Sequence, residues 1–191
     1  MLTRALTDVV HLRPLHTGHV DAFRAHLDRD RQRLQTWIPE IAEVVTAEDA
    51  RAWLEDRAGR GDDDTAMFGL WTADECVGAA AYYVWEPAVR TFEVGAWLEE
   101  RFEGGGLAFA ATCALVEHAF TACGMHRAEF LIDPANARAA ATLGRIGARH
   151  EGHLRQSVWI GGAPRDQQLW ALLAPEWRGR ERAPAGAGTG P

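Results

Sequence analysis

The order of apolar patterns along this 191-residue chain predicts a mixed α/β fold, one mostly antiparallel sheet of seven strands with helices on both faces. Three observations carry that expectation. Period-two and period-3.6 patterns follow one another as strand, helical pair, three strands, helix, strand, helix, two strands. Short turn signals at residues 72–75, 86–88 and 161–162 join neighbouring strands tightly enough for antiparallel pairing. Three strands in succession before a helix also do not fit a purely parallel, doubly wound sheet.

The first strand is residues 9–15 (VVHLRPL), which alternates and stops at Pro14. Thr17 caps a helix running on through Phe23 and Leu27, whose charged stretch at residues 24–33 reads as a solvated face. Trp37-Ile38-Pro39 ends it and leaves a large ring beside a turn, as core or as the wall of a cleft. Thr46 with Asp49 opens a second helix in a near capping-box pattern, with Ala50, Trp53, Leu54 and Ala58 on one face and the segment Gly59–Gly61 ending it. The triplet Asp62-Asp63-Asp64 lacks calcium-loop spacing and reads as solvated. Residues 66–71, 76–85 and 89–98 are the three successive strands. After a long small-residue helix come strand 127–132, helix 136–146 ending at Gly147, strand 148–160, the turn Gly161-Gly162 and strand 166–173. Residues 1–177 form one domain on this reading, and 178–191, rich in Gly, Ala and Pro, a frayed tail.

A net charge of −7 argues against a nucleic-acid binder that works by neutralising phosphates. The longest apolar run is too short to span a membrane, no signal peptide is evident, and no metal-ligand spacing occurs. Cys76, Cys113 and Cys123 read as buried, reduced thiols of a cytoplasmic protein. Exposed tryptophans among Trp37, Trp53, Trp85 and Trp159 would mark either a homodimer surface or a core.

The chemically informative stretch runs from residue 91 to 120. A strand is followed by an acidic link, then Gly104, Gly105 and Gly106, then a helix. Glycines there let backbone N–H groups converge beside the positive helix start, a geometry suited to a phosphate-bearing ligand.

The ordered set HLRPL, WIP at 37–39, EVGAWL, the glycine loop, MHRAEF, NARAAATLGRIGA, EGHLR, RDQQLWALL and PEW resembles the GNAT superfamily of acyl-CoA-dependent N-acyltransferases. Within it, the branch that acetylates N-terminal amines of ribosomal proteins is the most similar. The resemblance covers nearly the whole chain and implies a sheet whose fourth and fifth strands run parallel and splay apart. It implies acetyl-CoA as acyl donor, with the amides of Glu103, Gly104, Gly105, Gly106, Leu107 and Ala108 on its pyrophosphate. Trp97, Leu98 and Glu99 would pair with the pantetheine amides, and Asn136 would hydrogen-bond the same arm while also able to cap its helix. Glu93 is implied as the base or as the binder of the acceptor ammonium, with Trp37 and His153 on the acceptor side. His118, His126 and His150 rank below Glu93.

Two residues depart from the family pattern. Glu103 stands where Arg or Gln is usual, and a carboxylate about 5 Å from one phosphate charge costs roughly 3 kcal/mol at an effective dielectric near 20. Weaker donor binding, a different acyl donor, or an arginine supplied from elsewhere in the chain would each follow. Ala139 replaces a Ser that would protonate the departing thiolate, leaving water, Thr142 or no specific acid. The leading reading is an N-acetyltransferase acting on a peptide N-terminus or a small-molecule amine by direct attack. The alternatives are a GNAT-fold acyl-CoA or peptide binder with little turnover, and an acyltransferase with another donor.

Overall fold

The computed structural model describes residues 2–58, 67–73 and 75–177. The segment Gly59–Gly61, the acidic triplet 62–64 and the tail from 178 lie outside the described residues. One eight-stranded sheet runs in the order β1-β2-β3-β4-β5-β6-β8-β7. Its strands are β1 (Arg4–Ala5), β2 (His11–Pro14), β3 (Met67–Trp71), β4 (Cys76–Glu86), β5 (Thr91–Leu98), β6 (Arg127–Ile132), β7 (Arg149–Ile160) and β8 (Ala163–Leu173). The strand beyond the expected seven is β1, two residues long and without a pattern to announce it. All pairings are antiparallel except β5 with β6.

Helices α1 (Val20–Trp37) and α2 (Ala47–Ala58) cover one face, α3 (Leu107–Thr121) and α4 (Ala137–Ile146) the other. The apolar residues divide accordingly. Phe92, Val94, Phe109, Leu115, Phe130 and Leu143 pack under α3 and α4, while Phe23, Leu27, Leu54, Met67, Ala79 and Trp97 pack under α1 and α2. The middle of β4 (Gly78, Ala79, Ala80, Ala81) is buried on both faces, where small side chains let both helical layers come close. Thr46 caps α2 as expected, its hydroxyl accepting from the Asp49 amide at 3.1 Å while Asp49 accepts from the Thr46 amide at 2.7 Å.

The parallel pairing of β5 with β6 positions the site. It lasts three rungs, Thr91–Arg127, Phe92–Ala128 and Glu93–Glu129, and then stops although β5 continues to Leu98. Beyond Glu93 the edge of β5 that faces β6 has no strand partner among the described residues.

Candidate active site

At the far end of that edge the chain makes a short turn (Glu100–Phe102) and enters the glycine loop. Gly104 and Gly106 adopt φ of +84° and +79°, a left-handed conformation that side chains resist, and Gly106 leads directly into α3. A Cβ at any of the three glycines would meet nothing within 4 Å, so the loop borders open space. Among the described residues, no acceptor takes the N–H groups of Gly104, Gly105, Gly106, Leu107 or Ala108. The Glu103 amide is spent on the Glu100 carbonyl at 3.0 Å. Five consecutive amides therefore meet the start of a fifteen-residue helix with their hydrogens uncommitted.

The Glu103 carboxylate does not stand bare beside these amides. Arg33 of α1 donates to Oε1 at 2.7 Å, and Arg138 of α4 donates to Oε2. Arg33 also binds Asp30 and the Leu98 carbonyl. The charge expected to oppose a phosphate is compensated by two guanidiniums from helices on opposite faces of the sheet.

Hydrogen-bond alternation along β5 follows from the bond between the Glu99 amide and the Val77 carbonyl, at 3.0 Å. With Gly78 opposite Leu98 and Ala80 opposite Ala96, the main-chain groups of Trp97 and Glu99 turn toward β4. Those of Ala96 and Leu98 turn toward the gap, where the Leu98 carbonyl meets Arg33. Of the three residues expected to pair with a pantetheine arm, only Leu98 presents its backbone there.

The Glu99 side chain is a buried hub, 2% exposed, accepting from His26 Nδ1 at 3.0 Å, Arg29 Nε at 2.9 Å and Arg101 Nε at 2.8 Å. The Trp97 indole donates to His26 Nε2, which fixes the tautomer with the proton on Nδ1. Burial by itself would raise the Glu99 pKa, but these donors outweigh it and hold the carboxyl at about 2.

Glu93 has the opposite surroundings. It sits on the last rung before the strands part, facing Glu129 across the parallel pair, and no ion-pair partner occurs for it among the described residues. Burial, and then the Glu129 charge, raise its pKa to about 7. Glu129 is itself held by Arg127 at 2.7 Å.

A carboxyl poised near neutrality and a loop of uncommitted amides thus stand at the two ends of the β5 edge that β6 leaves open. The family model of the acetyltransferase (GNAT) domain matches residues 10–149. The chain belongs to the GNAT acetyltransferase family. It is an acyl-CoA-dependent N-acetyltransferase. The chain is 24% identical to a putative ribosomal N-acetyltransferase, YdaF, of Bacillus subtilis, over 95% of this chain and all of that one. Mycobacterium smegmatis RimJ, solved in complex with a CoA disulfide, superposes with a TM-score of 0.79 at 28% identity, over 91% of this chain and 86% of that one. The ribosomal α-N-protein acetyltransferase RimL, solved with coenzyme A, superposes at 0.82 and 21% identity over 90% and 98%, a likeness of fold.

The other positions expected from the GNAT resemblance are found as follows. Asn136 caps α4, its Oδ1 accepting from the Ala139 amide at 3.0 Å, which leaves its amide hydrogens available to a ligand. Thr142 gives its hydroxyl hydrogen to the Arg138 carbonyl at 3.0 Å, so it is not set to protonate a thiolate. Trp37 is 41% exposed at the end of α1, one helical turn beyond Arg33. His153 lies on the edge strand β7 and bonds Asp166 at 2.7 Å. Two strands separate β7 from β5, on the order of 14 Å at the usual strand spacing, so His153 is not beside Glu93. Cys76 and Cys113 are buried, with burial pushing the Cys76 thiol up to about 12; Cys123, expected inside, is exposed just past α3.

The stretch 24–33 is more than a solvated face. His26, Arg29, Asp30 and Arg33 stand at helical spacing and together tie α1 to the end of β5 and the following turn, with Asp30 also accepting from the Glu100 amide at 2.8 Å. That i, i+3, i+4, i+7 stripe was available in the sequence as a sign of a charged face meeting charged partners. No helix among the described residues is long and apolar enough to cross a membrane.

Proposed function

We propose that this GNAT enzyme acetylates the N-terminal α-amine of a protein or peptide, with acetyl-CoA as donor and Glu93 as the base. The observation that carries the reading is the Glu93 carboxyl raised to about 7 at the rung where β5 leaves β6. An α-ammonium has a pKa of about 7.7–8.0, and a lysine ammonium about 10.4. Passing a proton to a carboxylate near 7 is therefore almost level for an α-amine and strongly uphill for a lysine or an ordinary alkylamine. The names of RimL, a ribosomal α-N-protein acetyltransferase, and of YdaF, a putative ribosomal N-acetyltransferase, support the same acceptor class.

The five free amides of the glycine loop suit the diphosphate of the donor, and the gap-facing groups of Ala96 and Leu98 suit its pantetheine amides. Glu93 takes a proton from the acceptor ammonium, directly or through one water. The neutral nitrogen attacks the thioester carbonyl carbon, and the carbonyl electron pair moves onto oxygen. Collapse reforms the carbonyl and breaks the C–S bond, and the proton that the attacking nitrogen must still lose passes through water to the departing thiolate, because neither Ala139 nor Thr142 supplies one. Attack is direct. Cys76, the buried thiol beside Glu99, is held protonated and cannot serve as an acyl carrier.

The test is thiol release from acetyl-CoA with two peptides, one with a free N-terminus and no lysine, the other N-terminally blocked with a single lysine. Turnover with the first and little with the second is expected. Preference for the lysine peptide, or for small alkylamines over both, would overturn the assignment of the acceptor.

A further inference from the structure

The geometry points to Arg138 as a phosphate-binding residue of the donor site, held in place by Glu103. This rests on the glycine loop receiving the diphosphate. Arg138 lies in the first turn of α4, two residues past Asn136, and reaches across to the residue that opens the loop. Among the described residues its guanidinium is engaged through Nη1 alone, on Glu103 Oε2. Among the described residues, no partner occurs for Nε or Nη2, and the side chain is 65% exposed. That uncommitted Nε–Nη2 edge is the planar fork that binds a phosphate through two parallel N–H groups. Arg33 differs: its contacts to Asp30, Glu103 and the Leu98 carbonyl occupy it as a strut.

Glu103 is thus a positioning residue. With Arg33 fixed from α1 and Arg138 from α4, its carboxylate sets the distance between the loop and the start of α4. The residue that looked like a repulsive charge at the diphosphate holds the cation that faces it. The two roles predict opposite signs. Removing a merely repulsive carboxylate tightens donor binding; removing a positioning carboxylate releases Arg138 and weakens it.

The experiment measures dissociation constants for CoA and for dephospho-CoA by calorimetry. It compares the unaltered enzyme with Arg138→Ala, Arg138→Lys, Glu103→Ala, Glu103→Gln and the double alanine variant, melting temperatures being recorded for each. Arg138→Ala is expected to weaken both ligands about tenfold, the usual scale of a charge-assisted hydrogen bond. Lysine, which keeps the charge and loses the fork, should recover part of that. Glu103→Ala should weaken binding severalfold, Gln less, and the double variant no more than Arg138→Ala alone. The kcat/KM ratio of acetyl-CoA to S-acetylpantetheine, which has no phosphate, should fall about tenfold in Arg138→Ala. Tighter CoA binding by Glu103→Ala, or full affinity in Arg138→Ala, would overturn the inference while leaving the loop as the donor site. A loss with CoA but none with dephospho-CoA would move the contact to the 3′-phosphate and refute the diphosphate assignment. Failure of the unaltered enzyme to bind CoA would remove the donor site itself, and this inference with it.

Discussion

Glu93 and Glu99 stand at the two ends of the open edge of β5, and their carboxyl groups are driven in opposite directions. Glu99 is the more deeply buried, yet three donors from His26, Arg29 and Arg101 hold it ionised, at about 2. Glu93 meets no cation among the described residues, and burial, then the Glu129 charge, lift it to about 7. Burial raises the pKa of a carboxyl, and the donors aimed at it decide whether that rise survives. One is thereby a fixed charge that ties α1 to the sheet, the other a group whose proton can move near neutral pH. Glu103 is a third case, a carboxylate clamped between arginines of α1 and α4.

The comparison breaks most visibly at Glu93. Glu93→Gln keeps the shape and removes the base, and turnover with an N-terminal peptide should fall by about 10²–10⁴-fold, the ordinary share of a general base. The unaltered enzyme should lose kcat/KM below about pH 7 as Glu93 takes up its proton, a limb the variant would lack. A variant with full turnover and the same limb would remove Glu93 from the chemistry. Glu99→Ala should leave His26, Arg29 and Arg101 facing an empty site and destabilise the fold by about 3 kcal/mol, read from denaturant unfolding at pH 7. Loss of activity with unchanged stability would make Glu99 a participant in the reaction instead.

Several of these features were legible in the sequence. The glycine loop, the Asn136 cap, the Gly147 stop and the Thr46–Asp49 box depend on neighbours within a few residues, and local chemistry announces them. The run of three strands before a helix was enough to exclude a purely parallel sheet. What could not be read is what folding brings together from far apart. Arg33 and Arg138 meet on Glu103 from distant positions in the chain, and Glu93 finds Glu129 only because β6 lies parallel to β5. The insertion of β8 between β6 and β7 is likewise a matter of topology, and it carries His153 to an outer edge. Resemblance named Glu93 as a candidate; the environment that raises its pKa appeared only with the fold.

The two carboxyls also impose opposite slopes on stability. Glu99, with a folded pKa depressed to about 2, contributes stability that is fully present above its unfolded value near 4.5 and is lost as pH falls through 2. Glu93, with a folded pKa raised to about 7, favours the folded state while protonated and costs stability as pH climbs from 4.5 through 7. Glu93→Gln should therefore stabilise the protein at pH 8, on the order of 2 kcal/mol once residual solvent contact is allowed for, and change little at pH 4. Paired unfolding curves at the two pH values check this. Equal stabilisation at both would mean that the variant improves packing, and that the Glu93 carboxyl is not strained by ionisation.

The smallest effect is expected at Gly95, between the two glutamates. It lies on the Glu93 face of β5, and a Cβ there would come within 3.0 Å of the Tyr83 ring. Tyr83 follows Tyr82 into the register shift that lets β4 keep pairing with β5. The absence of a side chain at Gly95 thus lets that ring lie over the strand where it leaves β6. Gly95→Ala asks the ring to move by a few tenths of an ångström, and a flexible side chain can give way, so a loss of about 1 kcal/mol is expected. The Glu99 hub sits beyond the opposite end of the gap and should not register the change. The acid limb near pH 2 would stay in place, while the activity limb near pH 7 would shift with the altered packing beside Glu93. Movement of both limbs together would show that the open edge of β5 behaves as one electrostatic unit, and would undo the contrast between its two ends.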